Sequence, residues 1–478
     1  MKALLQVLSE DEKVQVHERT LHILARTGVR VDSERGREIL QSAGAQVDST
    51  SHIVRFSKDQ IEAALKRAPK TFTLGARRPG WDVPLNTGDC KLLLDGEGTT
   101  VLDRRTGRHR DSTFHDWLEA IRLADALDDI GIYWRIIGAN DRSEAIPDYV
   151  DYLVTLFRNF SKHIQDPIYT REQAPWFLEV LQTIFGSRET IRQNHPVSYV
   201  LCPQSPLVID DIFTDAYLEL IGWNIPVAIM PMPLMGATAP ASMISTLVIA
   251  NCEILATLCL IQAAEPGTPV IYASVAALMD PRTGMLKSDA IESGVLSAAT
   301  IGMARFYGLP VETSGSGTAQ YVPNIRSGYE RALSALSAIL SWPDILVGAG
   351  LLGGAMILSL EQMLIDTETF RMCRQAHRGI VSSDNKWMDN LIDQVGPGGH
   401  FLDQPSTVAA IHDGEWYINE LGMSVSFEEW QAAGKREIVE DAREKVDQIL
   451  KSHQPLPLDE QVERELASIK KKAKESQS

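Results

Sequence analysis

Glu312 is the side chain whose setting most suggests chemistry. It closes a strand-like run, "GLPVE" (308–312), and precedes the glycine-rich "SGSG" (314–317). A carboxylate there either stands outside a strand end, paired to a Lys or Arg, or enters a pocket as a base or as counter-ion to a cationic ligand. The aromatic residues Tyr133, Trp134 and Tyr272 either fill core or offer faces to a methylated ammonium. Arg135 suits a carboxylate, held bidentately, or a neighbouring acid. His163 is a base or a satisfied structural histidine. Other chemistries lack their residues. No His/His/Asp or His/Glu cluster supports a catalytic zinc, so no metal is expected. There is no GxSxG elbow and no phosphate-binding P-loop. A glycosidase needs two carboxylates, and Glu312 is the single one read at a strand end.

These residues need a scaffold, and the hydrophobic pattern supplies one. From about 113 onward, short apolar runs end in small or polar residues: "IGIYWRIIGAN" (130–140), "KHIQD" (162–166), "VSYVLCPQS" (197–205), "PVAIMPM" (226–232), "PVIYASV" (269–275), "PVETSGSG" (310–317) and "DILVGAG" (344–350). Helical stretches are expected between them at 147–160, 171–185, 209–222, 242–264, 289–307, 325–341 and 360–378. Non-alternating strands between helices mean a parallel sheet. The repeat predicts an α/β fold, a TIM (β/α)₈ barrel. The eighth strand comes from the preceding segment or from beyond 380. An open doubly wound sheet is the alternative, weakened by the missing GxGxxG. In a barrel the reactive groups lie at the C-terminal strand ends.

The flanks read as additions to that barrel. Residues 1–112 form an N-terminal cap, with helices at 9–25, 33–43 and 57–68 capped at Ser9 and Ser57, a hairpin at 45–56 and a small sheet from 71. Residues 113–420 are the barrel and 421–478 a pair of charged C-terminal helices, with Lys470–Lys472 as a solvated tail. The hairpin carrying Arg104, Arg105, Arg108 and Arg110 reads as a solvated turn or as a contact for an acidic partner.

Composition narrows the function classes. The 478 residues carry 63 acidic and 46 basic side chains, a formal charge of −17, with 44% hydrophobic and 23% charged residues. That is an ordinary globular mixture, and its sign argues against non-specific nucleic-acid binding. It suits cationic substrates. Five scattered cysteines without a CxxC spacing point to a reducing cytoplasm and no disulfide framework. The first residues lack a signal-peptide pattern. The uncharged stretch 220–252 contains four prolines, which argues against a membrane span.

Seven segments in order carry a resemblance over most of the chain: "RLADALDDI" (122–130), "PMPLMGATAP" (231–240), "NCEILA" (251–256), "EPGTPVIYAS" (265–274), "GYERAL" (328–333), "SLEQMLIDTE" (359–368) and "GPGGHFL" (396–402). The sequence resembles the trimethylamine methyltransferase superfamily, in particular its members without pyrrolysine, which act on quaternary amines such as glycine betaine. The resemblance implies a barrel whose mouth receives a corrinoid (cobalamin) held by a separate protein. It implies transfer of a methyl group from a methylated amine to Co(I). A quaternary nitrogen leaves as a neutral amine, so the reaction needs an orienting cage more than an acid or base. Tyr133, Trp134, Tyr272 and Glu312 are the expected cage, with Glu312 as the catalytic carboxylate and Arg135 and His163 as further substrate contacts. Gly398, Gly399 and His400 in "GPGGHFL" are the expected corrinoid-side contact or a packing turn. A homo-oligomer is expected.

The chain also departs from the family. Relatives continue "GGHFL" with a histidine-rich segment, where this chain reads "DQPST" (403–407). Glu312 and Gly348 stand where many relatives have Arg and His. Those basic residues suit a substrate carboxylate, so their loss favours a bare cation, such as choline or a simpler methylamine, unless Arg135 takes the carboxylate. Two rivals remain: a barrel lyase or hydrolase with Glu312 as base, and a non-catalytic protein that binds a methylated ammonium.

Overall fold

The structure, a computed structural model, describes residues 4–476 apart from 144 and 167. Eight parallel strands close a barrel: β1 (Lys91–Leu94), β2 (Ile130–Tyr133), β3 (His163–Gln165), β4 (Val197–Leu201), β5 (Val227–Ile229), β6 (Val270–Ser274), β7 (Val311–Ser314) and β8 (Ile345–Ala349). All seven runs read from the sequence are strands of this barrel. The eighth is Lys91–Leu94, which pairs with both Ile345–Ala349 and Ile130–Tyr133. The barrel therefore begins inside the segment expected to be cap, before residue 113. The TIM-barrel expectation holds, and the open-sheet alternative falls with ring closure.

The helices are α1 (Glu10–Arg26), α2 (Glu34–Ser42), α3 (Lys58–Arg67), α4 (Phe114–Ala126), α5 (Ile146–Asn159), α6 (Ala174–Phe185), α7 (Arg188–Asn194), α8 (Ile212–Leu218), α9 (Met243–Ala264), α10 (Ile291–Tyr307), α11 (Ile325–Ser341), α12 (Leu360–Arg378), α13 (Asp389–Val395), α14 (Pro405–His412), α15 (Phe427–Ala432), α16 (Ile438–Ser452) and α17 (Glu460–Glu475). Ser9 and Ser57 cap α1 and α3 in reciprocal boxes with Glu12 and Gln60.

One helix explains the N-terminal cap. α9 has no polar face, and by length and apolar composition it could cross a membrane, yet 83% of its most apolar window is buried. A helix apolar all round needs cover on both sides. The barrel covers one side, and α1, α2 and α3 pack on the other. Asn251 in α9 ties the layers together. Its side chain accepts from the Tyr272 hydroxyl at 2.8 Å and donates to Thr20 Oγ1 at 2.8 Å.

The C-terminal helices cover the opposite flank. α16 packs on α12 and α4, and α17 on α5 and α6. Lys470 pairs with Asp151, and Lys472 with Glu179 at 3.0 Å. The basic run is thus helical and docked, not a free tail. The arginine hairpin is held within the chain: Arg104 pairs with Glu119 and Asp447, and Arg110 with Asp116.

Both ends of the barrel are dressed. The hairpin Thr73–Leu74/Val83–Pro84 places Leu74, Val83 and Leu85 in the same buried cluster as the barrel interior, plugging its N-terminal end. At the C-terminal end lie two small sheets: residues 234–235, 277–279 and 286–287 make one, and 351–352, 357–358, 100–102 and 109–111 the other.

Candidate functional site at the barrel mouth

A cavity of about 380 Å³ sits at the C-terminal end of the strands. Its walls are mostly apolar and small: Trp134, Val275, Val347 and Leu351, with Gly315, Gly317, Gly348 and Gly354 opening the β7–β8 side. Gly348 has φ +138°, and a Cβ there would stand 1.9 Å from the Gly315 carbonyl. No other residue fits that wall. At the rim Met232 and Leu286 are exposed.

Strand alternation decides which expected residues reach this space. On β2 and its extension, Ile132 and Trp134 enter the barrel interior while Tyr133 faces the helices. The Tyr133 hydroxyl accepts from Trp117 Nε1 at 2.8 Å and meets the Tyr152 hydroxyl at 2.8 Å. The next residue, Arg135, lays its guanidinium over the Tyr152 and Tyr169 rings, 4.8 and 5.3 Å from their centroids. On β6 the interior residues are Ile271 and Ala273, and Tyr272 again faces outward, against Asn251 and Tyr307. Of the expected aromatic cage, Trp134 alone walls the cavity. Tyr133 and Tyr272 are packing residues with satisfied hydroxyls.

His163 lies deep in the barrel. Its Nδ1 meets the Gly75 carbonyl at 2.9 Å and its Nε2 the Ser198 hydroxyl at 2.8 Å. Burial pushes its pKa down to about 3, so it stays neutral. It is a structural histidine without access to a ligand.

Glu312 also needs correction. It points into the barrel, but one side-chain layer beneath Ser314, which walls the cavity, and it is 0% exposed. Gln165 Nε2 donates to both carboxylate oxygens, at 2.9 and 3.0 Å. Burial lifts its pKa to about 8 against that bond. Gly75, His163, Ser198, Gln165 and Glu312 thus form one closed polar chain across the interior. A sealed, satisfied acid cannot serve as the base of a lyase or hydrolase.

Gly398, Gly399 and His400 do not wall the cavity. They follow α13, which buries no residue, and the His400 side chain is 67% exposed, 3.7 Å from Asp403. Within one chain this segment therefore forms no part of the described cavity wall.

The structure adds a residue that the sequence reading passed over. Asp95 follows β1, and its carboxylate borders the cavity next to Gly96 and Trp134. The Gly96 backbone lies against the indole, where a Cβ would be 3.0 Å from the ring. Burial raises the Asp95 pKa to about 6, while the Arg331 guanidinium holds it down. "KLLLDGEG" (91–98) carried the signal, an apolar run ending in Asp-Gly. Assigning it to the cap hid it. Among the described residues no group of three or more His, Cys, Asp and Glu side chains could hold a metal ion.

Comparison with known proteins agrees with this architecture. The profile of the family described as trimethylamine methyltransferase (MTTB) matches residues 2–477. The trimethylamine methyltransferase MttB of Desulfitobacterium hafniense (strain DSM 10664 / DCB-2) is 29% identical over 461 residues, 96% of this chain and 92% of that protein. The MttB of Methanosarcina barkeri (strain Fusaro / DSM 804) is 28% identical over 480 residues, covering 98% and 95%. The glycine betaine methyltransferase of Desulfitobacterium hafniense (strain Y51) is 30% identical over 474 residues, covering 98% and 97%. The chain belongs to the trimethylamine methyltransferase family.

Proposed function

We propose that this protein moves a methyl group from a methylated amine to the Co(I) corrinoid of a separate protein that docks on the barrel mouth. The observation that carries the reading is the apolar, Trp134-walled cavity at the C-terminal end of the family's barrel. An aromatic wall in a recess shielded from water suits an alkylated ammonium. The methyl leaves without its bonding pair, which stays on nitrogen, and the acceptor supplies both electrons of the new bond. The leaving amine is neutral, so no proton has to move. That agrees with a cavity without a histidine, lysine or cysteine in its described walls. The cavity orients the methyl and excludes water. The exposed apolar side chains of Met232, Leu286 and Met356 around the mouth suit a large, flat macrocycle carried by a partner.

The expected homo-oligomer finds support in residues 380–427. α13, α14 and α15 bury no residue, while Ile380, Leu402 and Phe427 are exposed, an arrangement that a second copy could cover. Light scattering on the purified protein reads this directly.

The reaction is tested by absorbance. The protein is mixed with a cognate Co(I) corrinoid protein, and glycine betaine, carnitine, proline betaine, choline and trimethylamine are added separately. Loss of the Co(I) band with growth of methyl-Co(III) for one amine supports the proposal. Binding without transfer for every amine replaces it with the non-catalytic binder.

A further inference from the structure

Asp95 is the single charged side chain among the described residues that wall the cavity. Its Oδ1 accepts from the Gly96 N–H at 3.1 Å, and Oδ2 has no donor within the described chain. The guanidinium that acts on Asp95, that of Arg331, is engaged elsewhere. Arg331 donates to Asp366 at 2.8 Å and to the carbonyls of Gly348 and Leu351. Arg331 and Asp366 form a buried pair, so the charge on the described cavity walls is that of Asp95. Trp134 stands beside it. A carboxylate next to an aromatic face, in a recess of low dielectric, attracts a methylated ammonium.

The other end of the cavity is polar and neutral. Ser288 comes from the connection between β6 and α10 and Ser293 from the first turn of α10, three strands around the barrel from β1. Both hydroxyl oxygens are buried and make no hydrogen bond. Buried hydroxyls without partners are uncommon and costly unless a ligand completes them. A carboxylate tail placed in this cavity would be buried with no Lys, Arg or His in the described walls to pair it.

We propose that the site takes a methylated ammonium whose far end is a neutral hydroxyl, of the choline type, and disfavours carboxylated betaines. Asp95 and Trp134 hold the cationic head, and Ser288 and Ser293 receive the hydroxyl. This rests on the methyl-transfer reading of the same cavity and names its substrate class.

Calorimetry on the intact protein, without corrinoid, tests it with choline, tetramethylammonium and glycine betaine. Choline binds tightest, at least about tenfold better than glycine betaine. Asp95→Asn weakens choline about 100-fold and narrows that gap. Ser288→Ala combined with Ser293→Ala brings choline down to the affinity of tetramethylammonium. Tighter binding of glycine betaine than of choline, or an Asp95→Asn protein that binds choline unchanged, overturns the assignment. A wild-type titration covers the case in which the variant does not fold. Asp95 faces Arg331 and Asp366, and as it protonates below about pH 6 choline affinity falls with pH. A flat profile counts against it. A protein that binds choline in this pattern but never demethylates it refutes the reaction proposed above and leaves this inference standing. One that demethylates glycine betaine and ignores choline does the opposite.

Discussion

Two carboxylates enter the same barrel, and their surroundings are opposite. Glu312 on β7 has both oxygens bonded to Gln165, no exposure and a closed polar chain behind it. Asp95 at the end of β1 has a free oxygen, an indole beside it and about 380 Å³ of cavity in front. The difference comes from height along the strand. Successive inward residues differ by about 6.6 Å in height. The lower layer is completed by protein, and the upper layer is left for a ligand. A carboxylate's role in a barrel is therefore set by whether its lone pairs are already used, not by its pointing inward.

Adding a second unpaired acid at the mouth should have the largest effect on the fold. Arg331→Met leaves Asp366 buried without its partner, and thermal unfolding should show a loss of about 3–5 kcal/mol. A loss under about 1 kcal/mol would mean that Asp366 does not depend on Arg331 as the partner of a buried charge.

Removing the lower acid should act through pH. The pKa of Glu312 is raised in the folded state, from the ordinary 4.5 to about 8. Its contribution to stability is therefore complete below about pH 4.5 and is lost as pH rises toward 8. Between pH 6 and pH 9 that amounts to about 3 kcal/mol. Glu312→Gln keeps the Gln165 contact nearly isosteric and removes this slope. Chemical denaturation of both proteins across that range checks it, and parallel curves would show that Glu312 does not titrate there.

The smallest effects separate the two faces of one strand. Trp134→Phe should weaken choline binding roughly fivefold to tenfold through a poorer cation–π face. Tyr133→Phe, on the neighbouring position, should leave choline binding within about twofold and cost about 1 kcal/mol of stability by unpairing Trp117 Nε1. Equal binding losses at both positions would contradict the placement of Tyr133 among the helices.

The sequence was most legible where physics is local. Seven barrel strands and the long helices followed from apolar runs and caps, because strands buried on both faces leave an unmistakable pattern. Lys91–Leu94 was missed as a barrel strand because no helix precedes it, only the turn-rich segment that plugs the barrel. That same error concealed Asp95. Trp134 was recognised, but Tyr133, Arg135 and Tyr272 were grouped with it, since a short buried run does not reveal which parity faces inward. Glu312 was read at the right strand and the wrong depth. Depth depends on strand stagger and on what seals the layer below, Gln165 and Ser198 from β3 and β4, and neither is written near residue 312. The "GPGGHFL" segment carries a clear family pattern, yet it lies on a stretch that buries nothing within one chain.

The most direct measurement compares the two carboxylates on one ligand. Tetramethylammonium dissociation constants are taken by calorimetry at pH 7.5 for the wild type, Asp95→Asn and Glu312→Gln, all checked for native thermal unfolding. Recognition at the upper layer predicts a loss of about 100-fold for Asp95→Asn and a change within about threefold for Glu312→Gln. A large loss for Glu312→Gln with Asp95→Asn unchanged would contradict it, and would return the cation to the lower acid.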